Sequence, residues 1–314
     1  MKISEMQQLL SKLNFKSKFN IKKISKELGY TRPTFQKYLN KLKEDNIISK
    51  ISISINPDIR PNLKFVLIEI KSNPKEPYLV DKLLKLPQLR SLDGVFGEFS
   101  LNAFFVFKNQ EEFSLILKEI DKIMASSHFK KYQILETINI YKTNGIRLSG
   151  LKTKNLNLDE TDYSILEILQ EEQSIKTLST YEIRDIMKKV CEKDISQSTI
   201  HNRIKNLEVN KIILNYAMNF KPKEIGFEGK FFLRTKPKDP SKYEELALKL
   251  EKIPEITDLY RIGEEYGLLA VVRVKKIGEY GSFIRNLYLS EEIEDTFTNF
   301  VLDELKPYTN FILF

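Results

Sequence analysis

Two stretches of the chain carry the same order of apolar and polar positions. Ile195 to Pro222 reads ISQSTIHNRIKNLEVNKIILNYAMNFKP. Ser196 suits a helix N-cap, because its hydroxyl can accept a free amide hydrogen of the first turn. Ile200, Ile204 and Leu207 then recur on one face at helical spacing. Asn210-Lys211 interrupts the helix, Ile212 to Phe220 has strand character, and Pro222 ends it. Thr31 to Pro57 reads TRPTFQKYLNKLKEDNIISKISISINP, and adding 165 to each number aligns the two stretches without a gap. Thr31 falls on Ser196, Phe35 on Ile200, Leu39 on Ile204, Leu42 on Leu207, Ile47 on Ile212 and Pro57 on Pro222. A cap, an apolar stripe and a terminal proline held in register point to a tandem duplication.

The elements around these stretches also recur. Ser4 to Leu13 (Met6, Leu9, Leu10 and Leu13 inward) and Ile21 to Leu28 (Ile21, Ile24 and Leu28 inward) read as two helices before the first stretch. Asp159 to Leu169 and Tyr181 to Val190 do so before the second, with Cys191 to Ile195 as the turn. Helix, helix, turn, helix and strand make a winged helix-turn-helix. After Pro57 the period changes. Leu63–Ile70, Arg90–Phe99, Leu101–Phe107 and Tyr132–Tyr141 read as strands, with helices at Tyr78–Leu86 and Glu111–Ala125. In the second half the strands fall at Phe231–Thr235, Thr257–Ile262, Gly267–Val274 and Phe297–Leu302, and the helices at Ser241–Leu250 and Ile277–Leu289. The order βαββαβ is that of a ferredoxin-like sandwich. The expected class is α+β: two repeats of a winged helix-turn-helix followed by such a sandwich. The expected boundaries are 1–57, 58–145, a polar, glycine-containing linker at 146–157, 158–224 and 225–314.

Composition narrows the function. The chain has 314 residues, too many for one small core. Its longest apolar runs fall short of the roughly 20 residues that span a membrane. Met1 to Asn20 alternates lysines with apolar residues and does not read as a signal peptide, so a cytoplasmic location is expected. The single cysteine, Cys191, excludes an intramolecular disulfide. Cys191 and His201 alone do not make a metal site, and no GxSxG or HExxH is present. No cofactor is expected. The net charge of +8 is uneven: residues 1–150 carry 26 Lys+Arg against 15 Asp+Glu, and the remainder 25 against 28. Within residues 1–60 the balance is 13 against 5; within 151–225 it is 12 against 12. The basic first module is the one expected nearest a polyanion.

The order, spacing and repetition of these elements resemble the Lrp/AsnC family of transcription regulators, present twice in one chain. Leu158-Asp159-Glu160-Thr161-Asp162 with the following YSILEIL is similar to the family's opening helix. Ser196, Thr199, Arg203, Leu207, Glu208, Ile212, Ile213, Pro222 and Ile225-Gly226 are similar to its recognition helix, wing and exit. The first copy has Pro33 and Tyr38 where the second has Ser198 and Arg203, and it lacks the acidic opening. The resemblance implies sequence-specific binding of double-stranded DNA, with third helices in the major groove and sandwiches that oligomerise and sense a small-molecule effector. A homodimer paired through the sandwiches, like half with like, is expected; pairing of the two halves within a chain is the alternative.

Candidate DNA-binding residues are Thr31, Arg32, Thr34, Gln36, Lys37, Asn40, Lys41 and Lys50 in the first copy. In the second they are Ser196, Gln197, Ser198, Thr199, His201, Asn202, Arg203 and Lys205. Gln36 and Asn202 have the paired donor and acceptor that fit adenine; Arg32 and Arg203 suit guanine or phosphate, and Lys50 suits phosphate. By the resemblance, the effector site lies near the turn between the second and third sandwich strands: Gly97, Glu98, Phe99 and Ser100, and Gly263, Glu264, Glu265 and Tyr266. The family's aspartate is absent from both turns. Two other functions remain open. One is a regulator that binds another protein with weakened DNA reading, in view of the neutral second module. The other is a sirohaem decarboxylase-like enzyme, for which the sandwich supplies only His128.

Overall fold

The computed structural model describes residues 3–12, 21–59, 62–151, 157–190, 192, 194–310 and 312. Leu13, Cys191 and residues 152–156 of the expected linker lie outside the described residues. Helices α1 (Ile3–Lys12), α2 (Ile21–Glu27) and α3 (Arg32–Glu44) precede strand β1 (Ile48–Ile55). Then come β2 (Lys64–Lys71), α4 (Pro77–Leu84), β3 (Leu89–Phe96), β4 (Leu101–Phe107), α5 (Gln110–Ala125), β5 (Lys131–Thr143) and β6 (Ile146–Arg147). Helices α6 (Glu160–Glu171), α7 (Thr180–Val190) and α8 (Gln197–Val209) lead into β7 (Ile213–Phe220). The chain finishes with β8 (Gly229–Pro237), α9 (Tyr243–Leu250), β9 (Ile256–Ile262), β10 (Leu268–Val274), α10 (Glu279–Tyr288) and β11 (Ile293–Glu304). Among the described residues no helix is long and apolar enough to cross a membrane.

These elements gather into two compact units, each drawn from both halves of the chain. One comprises Met1–Ile59, Gly150–Ile225 and Tyr308–Phe314; the other comprises Arg60–Ser149 and Gly226–Pro307.

In the first unit, β1 and β7 pair antiparallel as a two-stranded ribbon. Ser52 faces Ala217, Ile51 faces Met218 and Ile53 faces Tyr216. Under the offset of 165, Ser52 maps onto its own partner, and the two flanking pairs exchange. The ribbon therefore has a local two-fold relation through Ser52 and Ala217. Both strands are largely buried. Ile53 joins the core of α6, α7 and α8 built on Ile165, Ile183, Ile200 and Leu207. Ser52 Oγ donates to the Gln170 carbonyl at 3.1 Å, and the Ile51 amide to the Ser174 carbonyl at 2.7 Å. The strands expected as free wings are thus paired with each other. Their alternating apolar side chains are satisfied by burial, which a wing lying in a groove does not provide.

In the second unit, eight strands close into a barrel in the order β2-β4-β3-β11-β8-β10-β9-β5, with β5 pairing back onto β2. The seams between the halves are β3 against β11 and β5 against β9, both antiparallel. Closure leaves none of these eight strands as an edge, which removes a route to aggregation. The expected like-with-like pairing of sandwiches between two chains is not how these strands are used: the two halves complete one sheet within the chain. Along each strand the period of two separates an outer face from an inner one. Val66, Ile68, Ile70 and Phe105 pack outward against Leu79 and Leu83 of α4 and Phe113 and Ile120 of α5. Leu233, Ala270 and Val272 pack against Leu246 and Leu250 of α9 and Phe283 and Leu287 of α10. Leu67, Val95, Leu135, Phe232, Tyr260, Leu269 and Val301 fill the interior.

Two local differences have simple causes. The expected linker begins with a hairpin, since β6 pairs with β5 across Asn144 and Gly145, both at positive φ. Asn-Gly is the dipeptide that this tight turn favours. The last strand runs from Ile293 to Glu304, longer than the apolar pattern indicated, because its charged ends pair with β8 and β3.

Candidate nucleic-acid interface

Helices α3 and α8 have matching geometry. Each is 13 residues long, and they begin at Arg32 and Gln197, again 165 apart. Thr31 caps α3 by accepting the Thr34 amide at 3.3 Å, and Ser196 caps α8 by accepting the Thr199 amide at 3.1 Å. Pro33 sits in the first turn of α3, where a missing amide hydrogen costs nothing. Both helices are followed by a residue at positive φ, Asn46 at 55° and Lys211 at 60°. Phe35, Leu39 and Leu42 are buried on one side of α3; Ile200, Ile204 and Leu207 are buried on one side of α8.

The opposite faces are open to solvent. On α3 these are Arg32, Lys37, Asn40 and Lys41; Gln36 is half-buried, and its amide donates to Asn40 Oδ1 at 3.1 Å. On α8 they are Ser198, His201, Asn202 and Lys205. The hydroxyls of Thr34, Ser198 and Thr199 are tied to the two caps.

Three of the expected DNA contacts are engaged inside the protein. Arg203 forms a two-pronged pair with Asp159, both contacts at 2.8 Å, and reaches Asp162 at 2.9 Å. Those carboxylates are the capping box of α6: Asp159 accepts the Thr161 and Asp162 amides, and Asp162 accepts the Asp159 amide. The Arg203 guanidinium holds the Asp159 carboxyl below its usual range. Gln197 donates to the Thr180 hydroxyl at 2.8 Å, joining α8 to α7. Lys50 donates to both the carboxylate and the backbone carbonyl of Glu171, at 2.6 and 3.0 Å. Tyr38 stands at the position equivalent to Arg203 and meets the edge of the Tyr30 ring, centroids 5.2 Å apart. Each module thus uses that position to hold its helices, by charge in one and by aromatic packing in the other.

The candidate effector turns lie in the barrel unit, and their polar groups are committed locally. Ser100 Oγ accepts the Ser72 amide at 2.8 Å, Glu98 pairs with Lys131, and the Lys131 amine lies over the Phe99 ring. A Cβ on Gly97 would stand 2.6 Å from the Asn299 side-chain nitrogen, so a larger residue in that turn would have to displace the Asn299 amide. In the other turn, Glu264 pairs with Arg234 at 2.9 Å and Glu265 with Lys236 at 3.4 Å, and the Tyr266 hydroxyl donates to Asp295 at 2.6 Å. Burial pushes the Glu264 carboxyl up, against the pull of Arg234. Gly263 is beside Ile138.

Sequence reasoning missed the charges inside the barrel. Lys230 donates to Asp93 at 2.7 Å, and Arg273 grips Glu304 at 3.0 and 2.7 Å. Arg234 also pairs with Glu69, which accepts from Gln133. Burial drives the Asp93 carboxyl up despite Lys230. Burial also works to raise Glu304, but Arg273 and Lys230 together bring it down to about 2. A signal was available: Glu69 interrupts Ile68 and Ile70, and Arg273 interrupts Val272 and Val274.

Residues 231–311 match the model of the Lrp/AsnC ligand binding domain. HTH-type transcriptional regulator FL11 of Pyrococcus furiosus is 32% identical over 152 residues, covering 48% of this chain and 94% of that protein. The chain belongs to the Lrp/AsnC family. A second member, HTH-type transcriptional regulator Ptr1 of Methanocaldococcus jannaschii, is 34% identical over 127 residues, 40% of this chain and 79% of that one. Nearly the full length of an Lrp/AsnC relative thus corresponds to about half of this chain. Over the whole chain, the fold is similar to the siroheme decarboxylase NirDL, with a TM-score of 0.61, 13% identity and coverage of 96% of this chain and 91% of that one.

Proposed function

We propose that the protein is a DNA-binding transcription regulator of Lrp/AsnC type, without catalytic activity, that reads duplex DNA through α3 and α8. The observation that carries this reading is the pair of equally capped, equally long helices whose outward faces keep Arg32, Lys37 and Lys41, and His201, Asn202 and Lys205, open to solvent. Long cations at such positions meet phosphates, and amides and imidazoles meet base edges. The helices belong to two winged-helix modules of a tandem repeat, each followed by a ferredoxin-like segment. The recurring element order, the common offset in the helical modules and the half-chain length of the relatives support the duplication. So does the strand order within each half: fourth, first, third, second, in β5-β2-β4-β3 and again in β11-β8-β10-β9.

The barrel holds the repeats together and is the place for effector sensing, a role supported by the ligand-binding family model over residues 231–311. The resemblance to NirDL carries architecture alone, at 13% identity. His128, the candidate for tetrapyrrole chemistry, sits past the end of α5 with its ring against Phe129. Adding sirohaem and recording the Soret band tests that rival directly.

Charge reversal of Lys37 and Lys41 to glutamate tests the DNA reading. Loss of duplex binding with an unchanged circular dichroism spectrum supports it. Unchanged duplex affinity contradicts it and favours a protein partner.

A further inference from the structure

We infer that one chain reads a complete operator by itself, and that the operator is built of two unlike half-sites. The inference rests on the DNA reading above. Nearly the full length of FL11 corresponds to about half of this chain, which holds two reader helices. Here the ribbon of β1 and β7 supplies the relation that a dimer interface would otherwise supply. Its register is two-fold about Ser52 and Ala217, and each of its strands directly follows one reader helix. The ribbon is largely buried, and the compact unit that holds it also contains both reader helices. Duplex DNA has two-fold axes perpendicular to its length, so a pair of readers related in this way can face two successive major-groove sites. Because the second reader is tethered, its engagement is intramolecular and independent of protein concentration.

The two-fold relation holds for the backbone and fails for the reading faces. Position by position, Arg32 corresponds to Gln197, Gln36 to His201, Lys37 to Asn202 and Lys41 to Asn206. Gln197 is turned aside to Thr180, whereas Arg32 is exposed. The α3 face carries three cations suited to phosphate, Arg32, Lys37 and Lys41; the α8 face carries Lys205, opposite Asn40 of α3, beside Ser198, His201 and Asn202, whose donors and acceptors suit base edges. The two faces therefore do not ask for the same sequence, since phosphates are alike in both arms and base edges are not. The expected site has two different arms, roughly 10 base pairs apart from centre to centre or a multiple of this. The arm under α8 is the more sharply defined in sequence.

The test is selection of duplexes from a randomised pool with the full chain, followed by anisotropy titration and sedimentation of the complex. The expected result is one chain per duplex on a site with unlike arms. Replacing the arm under α8 by a copy of the arm under α3 should weaken binding at least tenfold, whereas the reverse replacement should leave it nearly unchanged. A further variant remodels the outward face of α3 toward that of α8, with Arg32→Gln, Gln36→His and Lys37→Asn. It should favour the duplex carrying two copies of the α8 arm over the native site, a preference that the native chain lacks and that misfolding cannot imitate. Two chains per duplex, or equal affinity after the α8 arm is replaced by a copy of the α3 arm, overturns the inference while leaving DNA reading intact. Failure to bind any duplex overturns both together.

Discussion

Arg203 distinguishes a structural from a DNA-contacting role on the same helix. Replacing it with alanine removes three charge-assisted contacts at 2.8–2.9 Å and leaves the capping carboxylates of α6 without their cation. An exposed ion pair contributes about 0–1 kcal/mol, whereas breaking a buried one costs about 3–5. The Arg203 side chain is 29% exposed, Asp159 is 53% exposed and Asp162 only 12%, so solvent screening discounts the Asp159 arm more than the Asp162 arm. We expect a loss of roughly 1–2 kcal/mol. At about 2–4 °C per kcal/mol for a unit of this size, the melting temperature should fall by roughly 2–8 °C. Lysine should rescue only partly, because it cannot make the two-pronged contact. The pH dependence has a definite sign. The Asp159 carboxyl is lowered in the folded chain, so its contribution is fully present above its unfolded value, near 3.9, and is lost as pH falls through the folded one. The gap between the native chain and Arg203→Ala should therefore be flat from about pH 5 to 8 and close below about pH 4. Thermal melts followed by circular dichroism across this range are the assay. A melting temperature unchanged at pH 7, or a tenfold loss of DNA affinity at a temperature where the variant is folded, would refute the structural assignment.

Other consequences concern the caps and the barrel. Thr31→Ala and Ser196→Ala should each cost about 1 kcal/mol in urea unfolding, since each removes the hydroxyl that accepts a first-turn amide. Lys230→Met should cost about 3–5 kcal/mol by stranding Asp93 in the interior. The double variant Lys230→Met with Asp93→Leu should recover much of that in the same assay. Glu304 is held at about 2 in the folded chain, so its contribution to stability is present above about 4.3 and lost as pH falls toward 2. Glu304→Gln should flatten the acid limb of the unfolding profile over that window.

What could be read from the chain was local in origin. The third helices were legible because a hydroxyl cap, an apolar stripe and a breaking residue act within a few positions of one another, as at Thr31, Phe35 and Asn46. The Asn144-Gly145 turn was equally local, but the polar composition around it pointed to a linker. What stayed hidden depended on partners distant in sequence. Arg203 has the outward look of a base reader until Asp159, 44 residues away, is placed beside it. Lys50 needs Glu171, and Glu69 needs Arg234, 165 positions on. The pairing of β1 with β7 and the closure of the barrel are likewise choices between partners, which periodicity cannot make. The candidate effector residues lie in turns between strands, yet their polar groups meet neighbours such as Lys131, Arg234 and Asp295 that local spacing does not reveal.

Salt dependence of duplex binding tests the central claim most directly. Each phosphate neutralised by a cation contributes about −0.9 to the slope of log affinity against log salt concentration. If Arg32, Lys37 and Lys41 grip the backbone, replacing all three with alanine should make the slope shallower by roughly 2 to 3 and weaken all duplex sequences alike. A native chain that binds no duplex, or a triple variant with unchanged slope and affinity, would contradict the account.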